Sequence, residues 1–398
     1  MKKVLIITPK FPFPIRGASE SDRAYGIQQF LDLGFEVKVI TKISKDKIDK
    51  VEPVARELDI DIYPVTYKFS KSRSESIKRY LKALFTNPAL LDGAAREYSD
   101  PELVKKFKEV LKHWQPDYVW LDMSFMWYLI RFVDRQKTKV ITRSQAFEAS
   151  HFIEEEGISL KNLGFYFAKF FTEKQTARKS DLILAITPEE ADIYKKLGAK
   201  NVATLPLRGL PHLLKDEKGI KNGFPLNVFF AGSTYGVQHN KKALKFLLSE
   251  IIPEVNKKAP GKFIFNIFGR KFPDEFKKYL TDNIKYLGFV DDYEEMMEQM
   301  DIAIIPALAG RGMQQKIFEP LVRGIPVIAS PRALAGYHFK DDRELLYATQ
   351  SQEFVDKLLK MQDFELRERL SRAAIKQSKE LFSKEILDKI VLDNIEKE

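Results

Sequence analysis

Short apolar runs alternate with stretches of helical periodicity along this chain, and this alternation restricts the fold more than any other feature. An apolar run at 4–8 predicts a buried strand. The apolar residues between Ala24 and Leu31 then recur at helical spacing, and Gly34 ends that helix before a second apolar run at 37–40. Strand, helix and strand in this order are typical of a parallel sheet. Further strands are predicted at 118–121, 140–142, 182–186, 228–231, 263–268, 302–306 and 326–329.

The length of 398 residues indicates two domains, because one hydrophobic core rarely extends beyond about 300 residues. Residues 206–225 contain three prolines and three glycines and show no sustained period, so we predict a linker there. We therefore expect an α/β protein with two doubly wound, Rossmann-like domains, 1–205 and 226–382, that face a cleft. Ligands of such sheets bind at the carboxyl ends of the strands. A final amphipathic helix, 383–398, is expected to pack back on the first domain.

The composition excludes several kinds of chemistry. Cysteine is absent, which rules out disulfides, thiolate catalysis and cysteine-ligated metals. The five histidines have no paired ligand spacing, and Asp59-Ile60-Asp61 lies in an alternation typical of a half-exposed strand, so we predict no metal site. The apolar run at 118–130 is shorter than the about 20 residues that span a bilayer, so we expect no transmembrane segment. A net charge of +10 suits an anionic partner or a solvated lysine-rich surface, and no nucleic acid is expected.

Residues 306–330 form the segment with the most chemical information. It predicts a strand, a turn flanked by Gly310 and Gly312, a helix and a further strand. The free amide groups of the helix start favour a phosphate in the turn, and Arg311 and Lys316 add positive charge there. Glu319 lies one turn beyond Lys316 and could accept hydrogen bonds from a ribose diol. A plain strand-to-helix turn with solvated charges is the alternative.

This segment resembles the donor-binding signature of family 4 of the glycosyltransferases, which have the two-domain GT-B fold. The signature reads roughly G-x-x-x-K-x-x-E-x-x-x-x-G-x-P-V, and weaker similarities at 8–17, 34–37, 229–240, 266–269 and 287–306 follow in the same order. The resemblance therefore spans nearly the whole chain. The residues that match the signature are Gly312, Lys316, Glu319, Gly324, Pro326, Val327 and Ser330.

The resemblance implies a glycosyltransferase of the hexosyltransferase type, with the donor in the second domain and the acceptor on the first. It would move a sugar from a nucleoside-diphosphate sugar to a glycan or lipid-linked acceptor, with retention of configuration and without a metal or other cofactor. Polysaccharide synthesis at the cytoplasmic face of the membrane is the implied setting. Lys316 and Arg311 would neutralise the leaving diphosphate, and Glu319 would hold the ribose. The other implied donor-binding residues are Gly17, Gly232, Asn240, Phe268, Gly269, Phe289, Val290, Gly312 and Met313.

Two departures from the family pattern keep other functions open. Arg311 stands where the family often has a carboxylate. Residues 143–148 resemble an R-x-H-N-x-E stretch in which Arg143 and Glu148 match and would lie at the cleft, but Gln145 replaces the histidine and cannot act as a base. Glu148 is a candidate catalytic carboxylate, with a capping or packing role as the alternative. A nucleotide-sugar epimerase of the same fold and an inactive sugar-nucleotide or glycan-binding protein are the competing hypotheses.

A basic amphipathic segment at 67–85 is the best candidate for a partner surface. Apolar residues including Ile77 and Leu81 recur at helical spacing, whereas Lys78, Arg79 and Lys82 occupy another face. Such a helix can lie on an anionic membrane surface, which would suit a lipid-linked acceptor. An ordinary helix that faces its own domain core is the alternative.

Overall fold

The computed structural model of the chain describes residues 1–15, 17–67, 88–215, 219–290, 293–308, 313 and 315–396. These residues divide into two compact units. The first unit contains Met1–Gly209 together with Leu387–Glu398, and the second contains Leu210–Ile386. Among the described residues, no helix combines the length and the apolar character that crossing a bilayer requires.

The first unit is built on a seven-stranded parallel sheet in the order β3-β2-β1-β4-β5-β6-β7. Neighbouring strands pair in parallel throughout, for example Val4 with Val37 and Val4 with Tyr118. The order reverses between β1 and β4, which is the position where doubly wound sheets open a crevice at their carboxyl ends. The strands are β1 (Lys3–Thr8), β2 (Glu36–Ile43), β3 (Asp61–Thr66), β4 (Tyr118–Leu121), β5 (Lys139–Ser144), β6 (Leu182–Ala185) and β7 (Asn201–Thr204).

Helices cover the faces of this sheet. The helices are α1 (Ala18–Asp32), α2 (Val51–Leu58), α3 (Gly93–Glu97), α4 (Pro101–Trp114), α5 (Glu148–Glu156), α6 (Leu160–Lys179) and α7 (Pro188–Lys196), and the 3-10 turns are Lys45–Lys50, Pro88–Leu91 and Ser124–Phe132.

Helix α4 shows how the sequence determines one of these elements. Asp100 caps the helix by accepting the backbone N–H of Glu102 at 3.2 Å, and Pro101 occupies the first helical position. The apolar residues recur at helical spacing and are buried, so this face packs on the sheet. They are Leu103, Phe107, Val110 and Trp114, and they join a core that also contains Leu5, Ile7 and Trp127.

The second unit has a six-stranded parallel sheet in the order β10-β9-β8-β11-β12-β13, which reverses between β8 and β11. The strands are β8 (Leu226–Thr234), β9 (Phe263–Arg270), β10 (Ile284–Gly288), β11 (Ile302–Ile305), β12 (Val327–Ala329) and β13 (Leu346–Tyr347). The helices are α8 (Gln238–Phe246), α9 (Ile252–Lys258), α10 (Tyr293–Glu298), α11 (Gln315–Val322), α12 (Ser351–Lys360) and α13 (Phe364–Phe382), with a π turn at Leu247–Ile251 and 3-10 turns at Leu210–Leu213, Asp274–Tyr279 and Pro331–Leu334. The last helix, α14 (Lys384–Glu396), begins at the end of this unit, and its residues from Leu387 onward belong to the first unit.

Two parallel sheets with flanking helices confirm the predicted α/β class. The prediction of a strand across Asp59-Ile60-Asp61 was wrong at Asp59 and Ile60, which lie before β3. Asp59 follows α2 and adopts a left-handed conformation with φ of 52°, which ends the helix, and only Asp61 begins β3. Aspartate tolerates the left-handed region of backbone conformation better than most residues. Asp59 therefore ends helix α2, although the apolar and polar alternation predicted a strand.

A fully buried carboxylate, Asp22 of α1, joins elements that are distant in the sequence. It accepts hydrogen bonds from Arg143 of β5 at 3.2 Å, from the backbone N–H of Arg208 at 2.8 Å and from Gln145 at 2.9 Å. Burial alone would raise the pKa of Asp22, but the guanidinium groups of Arg143 and Arg208 outweigh burial and hold the pKa well below its usual range.

This network corrects one sequence expectation. The Arg143 side chain is completely enclosed and also donates to the carbonyl oxygens of Leu205 and Pro206, at 2.5 and 3.1 Å. It therefore presents no surface to a ligand and ties β5 to the chain that follows β7. The sequence match at Arg143 marks a structural ion pair in this unit and not a side chain that lines a cleft.

Replacing Asp22 by Asn should lower the free energy of unfolding of the first unit by about 3 kcal/mol, because the buried guanidinium of Arg143 would lose its counter-charge and that of Arg208 would lose one of its two carboxylate partners. All three tryptophans, at 114, 120 and 127, belong to this unit, so urea denaturation followed by tryptophan fluorescence reports on it alone. The matched control is Asp32→Asn on the exposed part of the same helix, which should change stability by less than about 0.5 kcal/mol. An unchanged unfolding midpoint in Asp22→Asn would contradict this account of the network.

Candidate functional site

The carboxyl ends of β8 and β9 approach each other so closely that position 269 needs glycine. Gly269 has φ of +139°, and a Cβ there would lie 2.1 Å from the carbonyl oxygen of Gly232. The Tyr235 hydroxyl donates to the carbonyl oxygen of Phe268 at 2.6 Å and fixes the two strand ends against each other. A larger residue at position 269 would have to displace backbone, so the edge of the sheet is rigid here.

Helix α11 begins beside this edge, and its second residue is Lys316. The Lys316 amine donates to the side-chain oxygen of Asn240 at 3.1 Å and lies 5.8 Å from the centroid of the Phe230 ring. Within the part of the chain that the structure describes, no carboxylate lies within ion-pair distance of this amine. Burial lowers the pKa of Lys316 to about 8. The amine is therefore a desolvated cation whose hydrogen-bond partner is a neutral amide.

Asn240 holds the lysine in place. This residue is 4% exposed, lies in α8, and donates through its amide nitrogen to the carbonyl oxygen of Thr234 at 3.1 Å. Its side chain thereby connects the end of β8 to the start of α11, the two elements that flank the reversal of strand order. A ligand at this crevice would meet the amine and the positive end of the helix dipole together.

Helix α11 is anchored firmly behind the site. The Phe318 ring stacks on Tyr337 with centroids 5.7 Å apart and meets Phe382 edge-on at 5.1 Å. Gly324 ends the helix with φ of +71°, and a Cβ there would lie 2.5 Å from the hydroxyl of Ser371. Glu319 lies one turn beyond Lys316 and is partly buried. Burial and the charge of Glu319 together raise the pKa of Tyr337.

An aromatic side chain is exposed after β10. Phe289 is 55% exposed, and the guanidinium of Arg270 lies 3.9 Å from the centroid of its ring. Such a cation–π pair forms a flat surface on which a planar group can stack. Phe268, by contrast, is buried against Phe229, so only its backbone could contact a ligand. Val290 is partly buried.

The turn before α11 contains three of the predicted site residues. Arg311 and Gly312 lie outside the described residues. Met313 is described and is 7% exposed. The structure thus brings Lys316 and Asn240 into direct contact and places Gly232 and Gly269 at the neighbouring strand ends.

The predicted residues of the first unit occupy the start of α1 and the loop after β5. Gly17 precedes α1 in an extended conformation and provides no side-chain cap. Gln145 accepts a hydrogen bond from the Ser19 hydroxyl at 2.6 Å and donates to Asp22, so both ends of its amide are engaged within the unit. Glu148 begins α5, is partly buried, and has a pKa that burial raises.

A buried glutamate that the sequence did not single out positions Glu148. Glu173 of α6 accepts the backbone N–H of Glu148 at 2.9 Å, the Ser124 hydroxyl at 2.9 Å and the Tyr194 hydroxyl at 2.6 Å. Burial raises the pKa of Glu173 to about 8. Its place on the buried face of α6, between Thr172 and Thr176, is a faint sequence signal, because a carboxylate on such a face needs partners.

Metal ligation has no visible basis in the described ranges, where no three histidine, aspartate or glutamate side chains converge. The chemistry that this arrangement supports is recognition of an anion by a fixed amine and of a planar group by an exposed ring.

Residues 225–363, which contain the Lys316 site, match the family profile described as glycosyl transferases group 1. Three solved structures share the fold of the whole chain. They are HepE of Anabaena in complex with UDP (12% identity, 100% of both chains, TM-score 0.67), TarM of S. aureus (12% identity, 98% of both chains, TM-score 0.68) and sucrose-phosphate synthase of Thermosynechococcus elongatus (12% identity, 100% of this chain and 99% of that one, TM-score 0.67). No curated protein matches the chain by sequence.

Replacing Lys316 by Met should raise the free energy of unfolding of the second unit at pH 7 by on the order of 1 kcal/mol. The desolvation of a charged amine disappears, which outweighs the loss of one hydrogen bond. The native pKa is about 8 and the unfolded value about 10.4, so between these pH values the unfolded state binds more protons and the wild type gains stability as pH rises. The advantage of Met should therefore shrink from pH 8 to pH 10.

The measurement is urea denaturation followed by far-UV circular dichroism, which reports on both units. Tryptophan fluorescence reports on the first unit, so the transition seen by circular dichroism alone is that of the second unit. Lys245→Met, at an exposed position of α8, is the control and should be neutral within about 0.5 kcal/mol. A Lys316→Met protein that is less stable than the wild type at pH 7 would show that the amine is not strained by burial.

Proposed function

We propose that this chain, a group 1 glycosyltransferase with the GT-B fold, transfers a sugar from a nucleoside-diphosphate sugar bound at the Lys316 site to a glycan or lipid-linked acceptor. The observation that carries the proposal is the buried amine of Lys316, held by Asn240 at the start of α11. A diphosphate supplies the negative charge that this amine lacks among the described residues. Charge develops on the diphosphate as the glycosidic bond breaks, and a fixed cation stabilises it most at that moment.

The neighbouring residues suit the remainder of a nucleotide. Glu319 lies one turn beyond Lys316 and can accept hydrogen bonds from the ribose hydroxyls. The exposed Phe289 ring with Arg270 over it offers a surface for the base. Structures of HepE and of a TarM variant hold UDP, so uridine diphosphate is the nucleotide that we propose for this chain.

The proposed reaction uses side chains in place of a metal to neutralise the leaving group. Lys316 provides one cation, and Arg311, outside the described residues, is the second that the sequence suggests. On the family resemblance alone, we extend the proposal to retention of anomeric configuration and to a role in cell-surface polysaccharide synthesis. Glu148 remains our candidate carboxylate on the acceptor unit, positioned by Glu173.

Two competing functions predict different behaviour toward the donor. An epimerase would convert a UDP-sugar with no acceptor present, and a binding protein would leave the UDP-sugar intact with any acceptor. A proton NMR time course of a UDP-sugar, first alone and then with a glycan acceptor, separates the three. Consumption only in the presence of acceptor supports transfer, whereas either other pattern rejects it.

Replacing Lys316 or Glu319 by Ala should each weaken UDP binding about 10- to 100-fold, because each removes a charge-assisted hydrogen bond. Isothermal titration calorimetry with UDP measures the affinity. Lys245→Ala removes a positive charge from an exposed position of the same unit and should bind UDP like the wild type. Wild-type affinity in both site variants would reject the proposed donor site.

A lipid-linked acceptor would require contact with a membrane surface. The basic segment predicted for this contact lies outside the described residues except for Tyr67. A second apolar surface lies on α6, where Leu160, Leu163, Phe167 and Phe171 recur on one side and are all exposed. The residues 154–156 that end α5 are three glutamates. A bilayer contact here would thus depend on burial of apolar side chains and not on attraction to anionic lipid.

Substitution of Leu160 and Phe167 by Ser should remove most of the fraction of the protein that floats with neutral phosphatidylcholine liposomes, because these side chains are 91% and 55% exposed. Ile48→Ser removes a similarly exposed apolar side chain elsewhere in the unit and serves as the control. Equal flotation of the double variant and the wild type, or no flotation of either, would exclude this contact. A Lys78/Arg79/Lys82→Glu variant, floated with anionic liposomes, tests the basic segment in the same way.

A further inference from the structure

A buried arginine without a partner lies at the reversal of strand order in the first unit. Arg23 of α1 is 5% exposed, and its Nε is enclosed without a hydrogen-bond acceptor. Across the described ranges, its guanidinium makes no hydrogen bond and no ion pair. A buried charge without a partner costs several kcal/mol, so a protein rarely retains one that nothing neutralises.

The groups around Arg23 also have unused hydrogen-bonding capacity. Its charge acts on Asp122, which follows β4, and on Glu20 and Tyr98. One oxygen of Asp122 accepts from the Trp120 indole at 2.7 Å and from Arg208 at 3.2 Å, whereas the other is buried without a partner. The Thr8 hydroxyl at the end of β1 is also buried without a partner. These atoms stand where a doubly wound sheet places its ligand.

The buried charges in this region do not balance. Asp22 and Asp122 face three guanidinium groups, and two of these, on Arg143 and Arg208, pair with them at 3.2 to 3.4 Å. Glu20 is engaged by Lys10 at 3.0 Å and does not contact Arg23. One positive charge, that of Arg23, is therefore left over at this end of the sheet.

We propose that Arg23 binds an anionic group carried by a sugar of the acceptor, so that the acceptor is an acidic or phosphorylated glycan. The hydroxyls of the same sugar would donate to the free oxygen of Asp122 and contact Thr8. This inference rests on the proposed transferase function, because it assigns the acceptor class. Arg23 is then a residue that determines acceptor specificity, and it belongs to none of the motifs found in the sequence.

A cavity of the first unit reaches Glu20, one of the residues on which the charge of Arg23 acts. A cavity of about 320 Å³ in the first unit is lined by residues that include Glu20, Lys42 and Tyr67. Glu20 and Tyr67 connect the cavity to Arg23, the first through the charge interaction and the second through its hydrogen bond to Tyr98. A cavity of this volume holds a monosaccharide.

The test is the binding of three probes to the full-length chain, followed by tryptophan fluorescence, to which Trp120 contributes through its contact with Asp122. The probes are methyl β-D-glucuronide, glucose 6-phosphate and the neutral methyl β-D-glucoside. We expect at least one anionic probe to bind about tenfold more tightly than the neutral one. Arg23→Gln should abolish this preference, Arg23→Lys should restore part of it, and Arg56→Gln, at an exposed position, should retain it. The probe that is preferred distinguishes a carboxylate from a phosphate.

A second measurement guards against misfolding of the variant. Because the ligand-free charge is unpaired, Arg23→Met should unfold at a higher urea concentration than the wild type in the tryptophan transition. Equal binding of all three probes to the wild type, or a preference that survives in Arg23→Gln, would overturn the proposal, as would a lower urea midpoint for Arg23→Met. UDP affinity is measured on the wild type separately, so failure of the donor site and failure of this acceptor site are distinguishable.

Discussion

The central constraint in this molecule is the desolvation of the Lys316 amine. An ammonium group in an apolar setting costs free energy, and a neutral amide such as that of Asn240 offsets only part of the cost. The elements that carry the site are rigid, because Gly269 packs against Gly232 at the ends of β8 and β9 and the Phe318 and Tyr337 rings pack behind α11. Under the proposed function, a bound diphosphate would neutralise this amine, and the free-energy cost of the empty site would be recovered as binding affinity.

The two units use the same sheet topology with different chemistry at the point of reversal. In the first unit, part of this region is occupied by the chain's own ion pairs, with Asp22 between Arg143 and Arg208. These pairs fix α1, β5 and the chain that follows β7 relative to each other, whereas the guanidinium of Arg23 has no ion-pair partner among the described residues. In the second unit the corresponding position holds no such network among the described residues, and Lys316 is available to a ligand. The ion pairs of Asp22 make the first unit rigid at this point, whereas the buried amine of Lys316 favours binding of a compact anion in the second unit.

The sequence predicted the elements that depend on local pattern. Each buried strand of a parallel sheet is a short apolar run, so β1, β4 and β9 could be located within one or two residues. The spacing of Lys316 and Glu319 on one helix could likewise be deduced, because helical periodicity fixes which residues share a face. The helix end at Asp59 was not predicted, because a helix that ends in the left-handed region can show the same polar and apolar alternation as a strand.

The parts that the sequence could not reveal depend on partners that are far apart in the chain. Arg143 matched a family stretch, but its partner Asp22 lies 121 residues away, and only the fold shows that the pair is enclosed. Glu173 and Arg23 belong to no sequence motif. What distinguishes them is burial, together with the hydrogen-bond partners that Glu173 has and Arg23 lacks among the described residues. Patterns of single residues predict elements and their faces, whereas the charge balance of a site requires the tertiary structure.

The most direct test of the central claim is the affinity for UDP as a function of pH in the wild type and in Lys316→Arg. If a lysine with a pKa of about 8 must be protonated to bind the diphosphate, wild-type affinity should fall by up to about tenfold per pH unit above pH 8. Arginine remains charged throughout, so the variant should bind UDP with constant affinity from pH 7 to pH 9.5. A wild type whose affinity does not change over this range, or a variant that loses affinity in parallel with it, would contradict the assignment of the diphosphate to Lys316.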